Sequence, residues 1–146
     1  MARLFPHYVS FAEWQMTPLL LSLIVLVVIH EALHAYAIRI FAKVEWRNIK
    51  FGVMWQVLTP YCHCSVPISV RAYRRVALLP LWVTGPASVA ALLAFPSDSL
   101  GILAGIAIAA CGGDVWVAAK LKRFAEDLLV KDSTSEIGCD VLSSAR

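Results

Sequence analysis

Three titratable residues, His30, Glu31 and His34, stand close together in the run HEALH. On an α-helix, residues four apart project from the same face, so the two imidazoles could hold one cation. Zinc with three protein ligands keeps a fourth position for water, lowers the pKa of that water and polarises a substrate carbonyl. The spacing therefore predicts zinc-dependent hydrolysis, in which Glu31 takes a proton from the water and passes it to the leaving amine.

The same residues interrupt an apolar run that predicts a helix over about residues 17–41. Thr17 can cap this helix, and Pro18 suits its first turn. A helix of that length spans roughly 37 Å, which exceeds a hydrocarbon core of about 30 Å. A carboxylate and two imidazoles at such a depth are strongly disfavoured without an ion or a water-filled cavity. The surroundings therefore favour a functional site over a chance occurrence of the motif.

The composition of the chain indicates a membrane protein. Of its 146 residues, 60% are hydrophobic and 16% charged, whereas soluble domains have roughly 45–50% apolar and about 25% charged residues. Apolar runs at about 17–41, 76–95 and 100–119 predict three transmembrane helices in one domain. The first residues lack the apolar core of a cleavable signal peptide. The expected surroundings are a lipid bilayer, and a net charge of only +3 makes nucleic acid an unnatural partner.

The segment between the first two predicted helices has the period of a β-strand. Apolar residues alternate with others at Ile49, Phe51, Val53, Trp55 and Val57. A second short strand over residues 61–65 would follow the break at Pro60. The predicted fold class is thus a mainly α membrane protein with a small β-hairpin insert over about residues 44–65. Its unpaired edge could capture an extended substrate, or the strand could pack on lipid headgroups.

The remaining helices and the C-terminus give further expectations. Pro80 and the Gly85-Pro86 pair predict a kinked second helix. Gly101 and Gly105 have GxxxG spacing, which predicts close helix approach in the third. Residues 120–146 are polar and are predicted to form a tail. Basic residues concentrate in the loop between the first two predicted helices, from Ala42 to Arg75, and in this tail, so the positive-inside rule places both in the cytoplasm.

A zinc site needs a third protein ligand, and the sequence leaves several candidates. Asp114 and His34 each lie roughly 10 Å inside the same predicted membrane face, which favours Asp114. Asp114 could instead form a structural salt bridge with Lys120 or Arg39. The other candidate ligands are His63 and the acidic tail residues Glu136 and Asp140.

The four cysteines give weaker signals. Cys62 and Cys64 flank His63 and look like soft metal ligands, but the second pair of ligands of a structural zinc site is missing. Cys111, one turn from Asp114, is expected to be a small packing residue. Cys139 has no assigned role. Free thiols are expected for all four.

Several motifs together resemble known families. HEALH, the GGD that ends at Asp114, and RAYRRVALLPLWVTGPAS resemble a minimal site-2-protease-type intramembrane metalloprotease. The region from His30 to Cys139, with PYCHC, SVRAYR and SEIGC, resembles still more closely a bacterial family of short zincin peptidases. In site-2 proteases an Asn-Pro-Asp-Gly-like segment supplies the aspartate, and here Gly112-Gly113-Asp114 stands without the proline and the following glycine.

The resemblance implies a three-helix catalytic core, with zinc held by His30, His34 and Asp114. It also implies proteolysis of membrane-associated polypeptides near the cytoplasmic face of a bacterial membrane. A non-catalytic metal-binding membrane protein, such as an adaptor, sensor or carrier, is the hypothesis from another class. A helical scaffold without metal is the third. The substrate, the cleavage site and the oligomeric state are not specified by the sequence.

Overall fold

A computed structural model describes residues 16–55, 59–133 and 138–142. The described chain is mostly helical, with two small antiparallel sheets and a short 3-10 helix at Trp46–Asn48. Its helices are α1 (Met16–Phe41), α2 (Val70–Ala94), α3 (Asp98–Ala110) and α4 (Gly112–Leu121). Its strands are β1 (Ile49–Met54), β2 (Thr59–Cys64), β3 (Ile68–Ser69), β4 (Leu129–Asp132) and β5 (Cys139–Leu142). The predictions that concern the N-terminal segment, Val57 and Glu136 lie outside the described residues.

Three helical segments are long and apolar enough to cross a membrane, as predicted: Pro18–Phe41, Val70–Ala94 and Asp98–Leu121. The second begins at Val70, earlier than the predicted residue 76. The basic residues of its first turns interrupt the apolar pattern, so the sequence does not predict this start. The helix is capped by Ser69, whose hydroxyl accepts a hydrogen bond from the Ala72 N–H at 3.2 Å. Pro80 and Pro86 both lie inside this helix.

The third apolar segment consists of two helices, α3 and α4, that meet at Cys111. The Cys111 N–H bonds the Ile108 carbonyl at 3.2 Å, and the Val115 N–H bonds the Cys111 carbonyl at 3.0 Å. The buried residues of both helices are three or four positions apart and share one face: Ala104, Ala107, Cys111, Ala118 and Leu121. Asp114 has the same spacing, so it lies on the face that meets the other helices.

The predicted close helix approach at Gly101 and Gly105 is wrong among the described residues. Within that part of the chain, a Cβ added at either glycine, or at Gly112 or Gly113, would contact no neighbouring atom within 4 Å. The buried alanine face of α3, with Ala107 only 2% exposed, packs inward instead. The small side chains that allow α3 to pack closely are therefore alanines, which lie on a different face of the helix from Gly101 and Gly105.

The predicted hairpin is present, with β1 antiparallel to β2 and Ile49 opposite Cys64. Pro60 lies within β2, although the sequence suggested a break there. The Ser65 N–H donates a hydrogen bond to the Asn48 carbonyl at 2.9 Å. Because successive N–H groups of a strand point to opposite sides, the backbone N–H groups of residues 60, 62 and 64 point away from β1. Proline is tolerated at such a position because no ladder hydrogen bond is lost.

The chain after α4 contains two strands that the sequence analysis did not anticipate. β4 pairs with β3 and with β5, giving the sheet order β3-β4-β5. Val130 is fully buried and packs with Val70 and Leu121 at the junction of α2 and α4. A second cluster joins α1, the hairpin and α2 through residues that include Ile38, Ile49 and Val76. Both sheets therefore pack at the same end of the helices.

Candidate metal centre and active site

His30 and His34 lie one turn apart on α1, on the side that packs against the rest of the protein. Their ring centroids are 4.9 Å apart, and their Nε2 atoms are 3.2 Å apart. Their side chains are only 13% and 12% exposed. The predicted convergence of the two imidazoles on one point is therefore found in the structure.

Asp114, in the first turn of α4, contacts both histidines. Its Oδ2 lies 3.1 Å from His30 Nε2, and its Oδ1 lies 3.5 Å from His34 Nε2. The alternative salt bridge with Lys120 or Arg39 is not among the ion pairs of the described residues. Lys120 instead places its ammonium 5.0 Å from the ring centroid of Trp116. Asp114 thus completes a cluster of two imidazoles and one carboxylate.

The size of this cluster fits zinc. His30 Nε2 lies 3.1 Å from Oδ2 of Asp114 and 3.2 Å from Nε2 of His34, which in turn lies 3.5 Å from the other Asp114 oxygen, Oδ1. Ligands 2.0–2.1 Å from a tetrahedral zinc ion are about 3.3 Å from one another. The two imidazoles and the carboxylate are therefore close enough together to hold one zinc ion. Two histidines and one carboxylate are also a donor set of catalytic zinc sites.

Cys111 belongs to an alternative group of possible ligands, with His30 and Asp114, whose ligand atoms lie within 4.8 Å of one another. The Cys111 sulfur lies 4.0 Å from Nδ1 of His30, whereas Nε2 of His30 faces Asp114 and His34. The Cys111 thiol also donates to the Ala107 carbonyl at 3.3 Å. Cys111 therefore contacts the Nδ1 side of the His30 ring, whereas Asp114 and His34 contact its Nε2 side.

Glu31 lies next to the cluster and is held by the hairpin. Its carboxylate is within 4.8 Å of the ligand atoms of His30 and His34, and it accepts a hydrogen bond from the backbone N–H of Cys62. This N–H points away from β1, as described for the alternating positions of β2. The outer edge of β2 thus orients the predicted general base, a role of Cys62 that the sequence analysis missed because it belongs to the backbone.

His34 also makes a hydrogen bond that defines its tautomer. Its Nδ1 lies 3.1 Å from the carbonyl oxygen of Val76 on α2. A carbonyl only accepts, so Nδ1 carries the proton and Nε2 presents its lone pair. Metal-binding histidines commonly donate their second ring N–H in this way. The lone pair of His34 is therefore aimed at the point where the three ligand atoms meet.

The other predicted candidates lie elsewhere. His63, on β2, has its Nδ1 3.5 Å from Oδ2 of Asp132, and Asp140 lies on β5 opposite Lys131. Neither belongs to the potential metal-ligand groups found in the described residues. Of the candidates that the structure describes, Asp114 alone is brought to the histidines.

The cysteines of the hairpin and the second sheet are free thiols. Burial raises the pKa of the Cys62 thiol to about 12. Burial also raises the pKa of Cys64 and the pKa of Cys139. Because metal-binding and nucleophilic cysteines act as thiolates, these environments favour the neutral, unreactive form.

Asp132 on β4 is a second buried anchor that the sequence did not reveal. Its Oδ2 accepts the backbone N–H of Cys64 at 2.8 Å, and its Oδ1 accepts the hydroxyl of Tyr73 at 2.7 Å. The carboxylate side chain is only 15% exposed. It connects the second sheet to the hairpin and to α2.

Three apolar helices and a cluster of two histidines, one aspartate and an adjacent glutamate fit the zinc metallopeptidase class. The chain belongs to the family described as "Putative zincin peptidase", whose sequence model matches residues 23–129. That range contains His30, Glu31, His34 and Asp114. No curated protein and no solved structure matches the chain.

Proposed function

We propose that the chain is a zinc-dependent endopeptidase that cleaves membrane-associated polypeptides within or beside the bilayer. Zinc is held by His30, His34 and Asp114, and Glu31 is the catalytic base. The observation that carries the proposal is the cluster in which the two Nε2 atoms lie 3.2 Å apart and contact the two Asp114 oxygens at 3.1 and 3.5 Å, beside the Glu31 carboxylate. Membership in a zincin peptidase family supports the same chemistry.

The metal ligands, Glu31 and the Cys62 N–H have separate roles in the proposed hydrolysis. Zinc held by His30, His34 and Asp114 would supply a water of lowered pKa and would polarise the scissile carbonyl. Glu31, beside the cluster, accepts a proton from the attacking water at its carboxylate and delivers it to the leaving nitrogen. The Cys62 N–H keeps that carboxylate oriented towards the cluster. Glu31 therefore acts in both proton transfers without binding the metal.

The unpaired edge of β1 is the proposed docking place for a part of the substrate away from the scissile bond, because the opposite edge of the hairpin, on β2, holds Glu31. Among the described residues, β1 pairs only with β2, and the alternation of hydrogen bonds turns the backbone of Phe51 and Val53 away from β2. Their side chains are 61% and 40% exposed. An extended polypeptide could add to this edge through main-chain hydrogen bonds, which need no particular sequence.

The proposed setting is a bacterial cytoplasmic membrane, with the site near the cytoplasmic face. The basic residues between the end of α1 and the first two turns of α2 lie at the end of the helices where both sheets pack: Lys43, Arg47, Lys50, Arg71, Arg74 and Arg75. The opposite turn, Pro96 to Ser99, has no basic residue. This asymmetry supports a cytoplasmic location of the sheets.

The decisive experiment compares wild type with Glu31→Gln, both purified in the same detergent. Zinc content is measured by elemental analysis, and hydrolysis with a quenched fluorescent single-span peptide. We expect about one zinc per chain in both proteins, with turnover of the variant reduced by roughly 10²- to 10⁴-fold. Equal turnover, or no stoichiometric zinc in wild type, would contradict the proposal. Zinc without any hydrolysis in wild type would favour the non-catalytic metal-binding protein.

A further inference from the structure

Pro80 lies inside α2, four residues after Val76, and its side chain is fully buried. In an α-helix the N–H of residue 80 would bond the carbonyl of residue 76. Proline has no N–H, and its ring pushes that carbonyl away from the helix axis. The Val76 carbonyl therefore lacks the partner that residue 80 would otherwise supply.

The partner of this carbonyl comes from another helix. His34 Nδ1 lies 3.1 Å from the Val76 oxygen. In an apolar helix, a carbonyl without a hydrogen-bond partner carries roughly the free-energy penalty of any buried unpaired polar group. The histidine N–H satisfies it, and the carbonyl in turn satisfies the histidine. The pairing is thus favourable for both groups, and with proline at residue 80 the histidine does not share this carbonyl with the N–H of residue 80.

We propose that Pro80 is a positioning residue for the metal site, an inference that rests on the proposed function. By withholding its own N–H, it reserves the Val76 carbonyl for His34. That carbonyl fixes the proton on Nδ1 and the orientation of the ring, so that Nε2 points at Asp114 and His30. Pro80 touches neither the metal position nor the substrate, and acts only through Val76 and His34.

Pro86 provides a matched control in the same helix. Its missing N–H leaves the Trp82 carbonyl without a helical partner. The side-chain hydrogen bonds of the described residues include none to this carbonyl, and Trp82 is 71% exposed. Replacement of Pro86 by alanine therefore restores one helical hydrogen bond at a carbonyl to which neither histidine bonds in the described residues.

The test measures zinc affinity by chelator competition for wild type, Pro80→Ala and Pro86→Ala in the same detergent. The new N–H at position 80 takes the Val76 carbonyl from His34, so Pro80→Ala should bind zinc about 10- to 100-fold more weakly, as for other lost outer partners of metal ligands. Pro86→Ala should match wild type. Unchanged affinity in Pro80→Ala would overturn the inference, as would an equal loss in both variants.

A double-mutant cycle separates positioning from general packing. Pro80→Ala is combined with His34→Ala, and the residual zinc affinity is compared with that of His34→Ala alone. Because Pro80 acts through His34, the second substitution should change nothing further. The same fold-loss in both backgrounds would assign Pro80 a merely structural role.

The tautomer of His34 is measured directly by NMR of protein labelled with ¹⁵N-histidine. The measurement on wild type needs no Pro80 variant, so it can overturn the inference even if that variant does not fold. In wild type, His34 should carry its proton on Nδ1, both with zinc and without. In Pro80→Ala the metal-free ring should lose this preference. The absence of a proton from Nδ1 in wild type would overturn the inference. Absence of zinc from wild type would contradict the proposed function but leave the metal-free spectrum as a test of Pro80.

Discussion

Asp132 Oδ2 accepts the backbone N–H of Cys64 at 2.8 Å, which ties the second sheet to the outer edge of β2. Two residues earlier on the same edge, the N–H of Cys62 is hydrogen-bonded to Glu31. The strand that orients the proposed general base is therefore itself held by a carboxylate near the end of the chain. The second sheet contributes to the site although it supplies no metal ligand.

Asp132→Ala should lower both stability and turnover. The substitution leaves the Cys64 N–H and the Tyr73 hydroxyl without their acceptor, and each loss of a buried partner costs about 1–3 kcal/mol. β2 is then less firmly held, so the peptidase rate should fall while zinc affinity stays that of wild type. Thermal unfolding, zinc competition and peptide cleavage in one detergent measure the three quantities.

Asp140→Ala is the control for Asp132, because it removes an exposed carboxylate from the neighbouring strand β5. It should leave stability and turnover close to those of wild type. The coupling between the second sheet and Glu31 is refuted if Asp132→Ala cleaves the peptide at the wild-type rate.

Replacement of Asp114 and of Cys111 should affect zinc very differently. Asp114→Ala removes a ligand, so its zinc affinity should fall by more than the roughly 10- to 100-fold expected for an outer partner. Cys111→Ala removes only a contact at the far nitrogen of His30 and should bind zinc far better than Asp114→Ala. Chelator competition on both variants gives the comparison. A Cys111 variant that loses zinc as fully as the Asp114 variant would show that the thiol is a ligand.

The pH dependence of stability should report the burial of Cys62. Its pKa is about 12 in the folded protein, against an ordinary value of 9.0. The folded state holds the proton more tightly, so the contribution of Cys62 is fully present below pH 9 and is lost between about pH 9 and pH 12. The free energy of unfolding should therefore fall over this range, and less steeply in Cys62→Ala.

Cys62 should also resist alkylation in the folded protein. At pH 8 almost none of this thiol is ionised, and the thiolate is the reactive form. Iodoacetamide should modify it only after unfolding, as mass spectrometry of the Cys62 peptide would show. Rapid modification of the native protein at pH 8 would contradict the burial of this side chain.

The site could be predicted from the sequence as far as local spacing and depth allow. His30 and His34 are four residues apart on a helix, and Asp114 lies at a matching depth, so both placements follow from helix geometry. The hydrogen bond from His34 to Val76 could not be foreseen in the same way, because it joins residues 42 positions apart through a backbone atom. Pro80 was recognised as a kink, but its partner depends on how α1 packs against α2.

In the fold, too, elements with a local sequence pattern could be predicted, whereas elements that depend on tertiary contacts could not. The alternation from Ile49 to Trp55 predicts β1, whereas β4 and β5 are only four residues each and lie in a polar stretch. Their stability comes from the burial of Val130 against Val70 and Leu121, a tertiary contact without a periodic signal. The start of α2 was placed too late because Arg71, Arg74 and Arg75 interrupt the apolar pattern while the helix continues through them.

Phe51→Pro should test whether the β1 edge binds substrate. The N–H of Phe51 points away from β2, so proline removes a donor from the open edge without breaking the hairpin ladder. If an extended substrate pairs with this edge, kcat/KM should fall by roughly 2- to 10-fold relative to Phe51→Ala, which corresponds to one hydrogen bond of about 0.5–1.5 kcal/mol. The alanine variant loses the same aromatic side chain but keeps the N–H. Both variants should bind zinc as wild type does. Equal kcat/KM for the two would exclude a main-chain contact at this position and leave the exposed apolar face of β1 to contact lipid headgroups instead.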